Sequence, residues 1–121
     1  MLKARILVVD DEYNQREMLR NILRMEGYDV TTATTGQQAL DMLAKMDGAI
    51  VISDLKMPGI DGLQLLARIR RQFPNTVFVM ITAHPSNETR EEALRNGAKV
   101  YLTKPLDVEE LLRELAGVTA A

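Results

Sequence analysis

Five polar side chains in this sequence stand at or just beyond the ends of apolar runs, and together they could carry phosphoryl chemistry. Asp10 and Asp11 follow Ile6-Leu7-Val8-Val9, and Asp54 follows Val51-Ile52-Ser53. Thr82 follows Val77 to Ile81, and Lys104 follows Tyr101-Leu102-Thr103. A carboxylate can attack phosphorus and become an acyl phosphate, a form of covalent catalysis. It needs a cation to bridge carboxylate and phosphoryl oxygens, an ammonium to neutralise charge, and a hydroxyl to hold a phosphoryl oxygen. Unit charges ~4 Å apart interact by about 4 kcal/mol at an effective dielectric of 20, so three clustered carboxylates call for a cation or a proton. All-oxygen ligation without His or Cys points to a hard divalent ion, with Mg2+ as the natural choice. Asp11 with the metal, Lys104 and Thr82 would then serve Asp54 as the phosphorylated residue.

That chemistry requires all five residues on one edge, and the pattern of elements supplies it. Arg5–Val9 reads as a strand, and from Tyr13 the period turns helical, with Met18, Leu19, Ile22 and Leu23 recurring at helical spacing and Gly27 as the stop. Tyr28 to Ala33 reads as a second strand. Thr35 with Gln38 three residues on reads as a capping box, opening a helix whose Ala39, Leu40, Leu43 and Met46 face inward. Ala49 to Ile52 is apolar enough for a strand covered on both faces, and Pro58-Gly59 supplies the fixed and the permissive φ of a structural turn. Asp61, with Gln64, caps a third helix carrying Leu63, Leu66, Ile69 and Phe73. Thr76–Ile81 forms a fourth strand. Pro85-Ser86 opens a fourth helix running to about Asn96, with Leu94 as its only large apolar residue. Lys99–Leu102 is the fifth strand, and Asp107 starts a fifth helix facing the core through Val108, Leu111, Leu112 and Leu115. Gly117 to Ala121 reads as a loose tail.

Five strands alternating with five helices predict an α/β fold of the flavodoxin-like kind, a three-layer sandwich with a parallel sheet and right-handed crossovers. The most uniformly apolar strands are the first, third and fourth, which favours the order 2-1-3-4-5. The crevice between strands one and three then lies at the carboxyl edge, where open parallel sheets bind ligands.

The chain has 121 residues, a length that suits a single domain spanning 1–121. A net charge of -2 argues against direct nucleic-acid binding, which would show as a basic stripe. No run approaches the ~20 apolar residues of a membrane helix. With no leader pattern and no cysteine, the expected location is cytoplasmic.

The motifs Leu7-Val8-Val9-Asp10-Asp11-Glu12, Asp54-Leu55-Lys56-Met57-Pro58-Gly59-Ile60-Asp61-Gly62, Ile81-Thr82-Ala83 and Tyr101-Leu102-Thr103-Lys104-Pro105 carry a resemblance. From Lys3 to Leu115 the chain resembles a response-regulator receiver domain of bacterial two-component systems. Within that family it is most similar to receivers of nitrogen-regulatory-type enhancer-binding activators. The resemblance implies that Asp54 takes a phosphoryl group from a sensor histidine kinase. It also implies Mg2+ held by Asp11, Asp54 and the Lys56 backbone carbonyl, with Asp10 acting through water. Thr82, Ala83 and Lys104 would contact the phosphoryl group, and Thr82 and Tyr101 would form a switch. In that switch Thr82 shifts, Tyr101 moves inward, and the lightly anchored fourth helix repacks against strand five and helix five. The switched surface would serve a homodimer, an output domain or a partner protein, with transcriptional control as the expected output. A cis bond before Pro105 is implied as well.

Other readings compete. A strand-end acid is most often a solvated loop residue, Asp61 and Asp107 read simply as caps, and His84, the sole histidine, as an exposed loop residue. An aspartate-nucleophile phosphatase would place a second Asp where Lys56 stands. A flavin binder would want a Ser/Thr/Gly-rich loop where Asp10 and Asp11 stand. A stand-alone receiver acting by protein contact, or a degenerate docking module, would share the fold.

Overall fold

Alternating apolar residues on each strand divide the molecule into two cores, one on each face of a single sheet. The fold, a computed structural model, describes residues 3–119. The elements run β1 (Arg5–Val9), α1 (Tyr13–Met25), β2 (Asp29–Ala33), α2 (Gly36–Leu43), β3 (Ile50–Asp54), α3 (Gly62–Gln72), β4 (Val77–Thr82), α4 (Asn87–Arg95), β5 (Val100–Thr103) and α5 (Val108–Thr119). All strand pairs are parallel, and the order is β2-β1-β3-β4-β5, as the apolar content of β1, β3 and β4 predicts. Leu7 and Val9 of β1, Val51 of β3 and Phe78 and Met80 of β4 face α2, α3 and α4. Ile6 and Val8, Ile50 and Ile52, and Val79 and Ile81 face α1 and α5. Adjacent residues thus serve opposite layers, as the strand period of two requires.

Each helix starts where a side chain satisfies its free amides. Asp61 and Gln64 form a reciprocal capping box at α3. Ser86 Oγ accepts from Thr89 N at 3.0 Å at α4, and Asp107 Oδ1 from Glu110 N at 3.2 Å at α5. At α2 the pairing departs from the expected box. Thr35 accepts from Gln38 N, but Gln38 Oε1 takes the amide of Thr34 instead, at 2.7 Å. The Pro58-Gly59 turn places Gly59 at φ 74°, where a side chain would be strained.

The structure corrects the reading of Gly117 and refines three helix faces. Gly117 does not begin a loose tail, because α5 runs on to Thr119. Val118 packs against the α1/α5 core, and Thr119 Oγ1 donates to the Leu115 carbonyl, which offsets the usual cost of a helical glycine. Ala120 and Ala121 lie outside the described residues. Met18 satisfies the helical period yet lies exposed; Leu19 and Leu23 alone are buried in α1. In α3, Leu65 is fully buried, while Leu63 only packs against the cluster edge. In α4 the buried residue is Ala93, and Leu94 is 40% exposed.

Candidate active site at the carboxyl edge of the sheet

The parallel register delivers the predicted residues to one edge. Asp10 follows β1, Asp54 ends β3, Thr82 ends β4 and Lys104 follows β5. One carboxylate oxygen from each of Asp10, Asp11 and Asp54 lies within 4.8 Å of the others. Lys104 Nζ donates to Asp54 Oδ2 at 2.8 Å and stands 3.9 Å from Asp10 Oδ2. The Lys104–Pro105 bond is cis. Among the described residues this is the one group of three acids spaced to hold a cation.

Backbone contacts fix the carboxylates. Asp54 Oδ1 accepts the amide of Lys56 at 3.2 Å, and the Asp54 carbonyl accepts from Ser53 Oγ at 2.9 Å. Asp10 Oδ1 accepts from Glu12 N at 2.9 Å, and the Asp10 carbonyl from Arg16 Nη1 at 3.0 Å. Burial pushes the Asp10 carboxyl above its ordinary range. The Glu12 amide opposes that push, Asp54 adds to it, Lys104 opposes it and Asp11 adds a little more. An acid that is reluctant to ionise beside two others is the electrostatic situation a divalent cation relieves. The donors fit Mg2+: hard oxygens, one acid open to solvent, and one ammonium against a single oxygen of Asp54, leaving its other oxygen free of charge pairing.

A family model described as "Response regulator receiver domain" matches residues 6–116. The chain belongs to the response-regulator receiver family. The receiver is 39% identical to the regulatory protein AtoC of Escherichia coli over 107 residues, covering 88% of this chain but only 23% of AtoC. It is 34% identical to sporulation initiation phosphotransferase F of Bacillus subtilis, covering 92% of this chain and 90% of that protein. The beryllofluoride-activated NtrC4 receiver domain dimer superposes with a TM-score of 0.89 at 34% identity, covering 95% of each chain. The resemblance to nitrogen-regulatory-type receivers drawn from the motifs therefore holds.

In this receiver Thr82 is fully buried, and its Oγ1 accepts the amide of His84 at 2.9 Å. Ala83 and His84 are exposed beside it, and so are Lys56, Pro58, Gly59 and Pro105 around the rim. The Tyr101 side chain lies inward, 9% exposed, in the core shared with α3 and α4. Its phenol lies 2.8 Å from Thr89 Oγ1.

Three contributors escaped the sequence reading. Glu12 follows Asp10 and Asp11 directly, and its carboxylate accepts the amides of Asn14 and Gln15 and so caps α1. Capping favours Ser, Thr, Asp and Asn, which hid Glu12. Arg16 pins the Asp10 carbonyl from one turn further on. Gly62 seats α3 against Asp54: a Cβ there would stand 2.5 Å from the Asp54 carbonyl oxygen and 2.8 Å from Met80 Sδ. Glycine directly after a capping Asp was the available signal.

Proposed function

We propose that this receiver is a phosphorylated switch in two-component signalling, with Asp54 as acceptor. The observation that carries this reading is the Lys104 ammonium held 2.8 Å from Asp54 inside a three-carboxylate cluster. A sensor histidine kinase presents phosphoimidazole. An oxygen of Asp54 attacks phosphorus, the phosphorus–nitrogen bond breaks with the pair returning to imidazole, and an acyl phosphate forms. Mg2+, when bound by Asp11, Asp54 and the Lys56 carbonyl with Asp10 behind water, supplies neutralising charge. Lys104 moves from a carboxylate oxygen to a phosphoryl oxygen, while Thr82 and the Ala83 backbone contact the others. Water later hydrolyses the acyl phosphate, so the chain catalyses only its own modification and its removal.

The added phosphoryl group brings about two negative charges and three acceptor oxygens. Thr82 answers by turning its hydroxyl from His84 to the phosphoryl group, and Tyr101 and α4 carry the change to the α4–β5–α5 face. Arg90 and Lys99 line a groove of about 530 Å³ there together with Glu110 and Glu114. Basic and acidic residues side by side suit a second copy of the chain, and a dimer is named for the NtrC4 receiver. An output domain or partner protein, with a transcriptional role, is the other use of that face. Membership of the receiver family supports a cytoplasmic post; among the described residues no helix is long and apolar enough to cross a membrane.

Incubation with Mg2+ and a small phosphodonor tests the assignment. One acid-stable, base-labile adduct is expected, reduced at least 100-fold in Asp54→Asn. Survival of the adduct in that variant would remove Asp54 from the role.

A further inference from the structure

Three hydroxyls join the first turn of α4 to β5. Tyr101 OH and Thr89 Oγ1 are 2.8 Å apart, and Thr89 Oγ1 lies 2.9 Å from Ser86 Oγ and 3.3 Å from the Ser86 carbonyl. Ser86 Oγ in turn accepts the Thr89 amide, as the cap of α4. The protons can be assigned without conflict. Tyr101 and Ser86 Oγ donate to Thr89 Oγ1, Thr89 donates to the Ser86 carbonyl, and Ser86 Oγ keeps a lone pair for the amide at the helix start.

The rest of α4 contributes little apolar anchorage. Ala93 is its one buried residue, and Leu94 stands in the groove beside Tyr101. The position of the Tyr101 ring and the seat of α4 therefore depend on a shared polar contact. One hydrogen bond of ordinary net strength biases a two-state equilibrium by about fivefold. That is a large share of the bias in a switch whose minor form is populated at 0.1 to 10%, about 10- to 1,000-fold.

We propose that Thr89 is a positioning residue that latches Tyr101 inward in the unphosphorylated chain. The α4–β5–α5 groove is then open before any phosphoryl group arrives, and the chain has a built-in basal level of the switched form. The link to output rests on the function proposed above; the latch is a property of the free chain. Since phosphoryl engagement of Thr82 favours the same inward ring, the latch lowers what the phosphoryl group must supply, and linkage makes the coupling reciprocal.

Nitration by tetranitromethane, read by mass spectrometry tyrosine by tyrosine, tests the latch without phosphorylation. Tyr13, 64% exposed, marks full reactivity, and the buried Tyr28 marks protection. In the native chain Tyr101 should react as slowly as Tyr28. Thr89→Val, which keeps the branched shape and loses the hydroxyl, should speed Tyr101 about fivefold and leave Tyr13 and Tyr28 unchanged. Thr89→Ser should restore protection. An unchanged Tyr101 rate in Thr89→Val overturns the latch, and so does a parallel rise at Tyr28, which would mean general loosening. Beryllofluoride with Mg2+ then probes the coupling: bound to Thr89→Val it should return the Tyr101 nitration rate to the native level, and a rate unchanged by its binding overturns the coupling. If Asp54 bound no beryllofluoride in any variant, the phosphorylation reading would fail while the nitration result still decided the latch.

Discussion

Asp10 has the least room to be charged of the three clustered acids: it is 3% exposed, whereas Asp11 faces solvent and Asp54 lies between. Because burial raises its folded pKa, Asp10 binds its proton more tightly in the native chain than in the unfolded one. The metal-free protein therefore loses stability from this group as pH rises from 3.8, the ordinary value, through the raised folded value. Asp10→Asn should remove that loss. With chelator present and at neutral pH, the variant should melt higher than the native chain. The gap between variant and native chain should close at acid pH. Thermal melts across pH check this, and a variant less stable than the native chain at neutral pH would refute it. The same buried acid explains why the site was legible in the sequence: an acid pair directly after Val8-Val9 has no place in an ordinary strand. Thr89 was not legible. It reads as a helix-surface threonine until the approach of α4 to β5 brings Tyr101 to it.

At the scale of elements, the start of α3 is seated against the carboxyl end of β3. Gly62 N donates to the Leu55 carbonyl at 2.8 Å, and the space a Cβ would need is filled by the Asp54 carbonyl, Met80 Sδ and Leu55 Cα. Gly62→Ala should push α3 away from β3 at a cost of about 2 kcal/mol. It should also slow adduct formation at Asp54 about tenfold or more. Chemical denaturation and phosphodonor kinetics measure the two effects, and a variant with native stability and rate would show the contact to be slack. Strand identity and order were plain from apolar runs, because burial on both faces leaves little choice of residue. Helix faces were less plain. The 3.6-residue period places Met18 and Leu19 almost equally well, and in the structure Leu19 joins the core under the sheet while Met18 stays exposed. For α4, size pointed to Leu94, yet the residue the core covers is the small Ala93. Gly117 shows the reverse error, since a glycine stops a helix only when no packing continues beyond it.

For the whole molecule, the two cores share one sheet and should melt together. Leu65 serves the α2/α3/α4 side and Leu115 the α1/α5 side, both fully buried. Leu65→Ala and Leu115→Ala should each cost about 2–5 kcal/mol while leaving one coincident transition by far- and near-ultraviolet dichroism. Separate transitions in either variant would mean that the layers hold independently. The sheet has a further consequence through the ion pair at its carboxyl edge. Lys104 reaches Asp54 from 50 residues along the chain, past all of α3, β4 and α4. During synthesis from the N-terminus, a chain complete through β4 already has Asp10, Asp11 and Asp54 but still lacks their ammonium. On the function proposed above, the aspartate is armed only when β5 is laid beside β4. Readiness to receive a signal then doubles as a certificate that the five-stranded sheet is closed, and chains halted before β5 stay deaf.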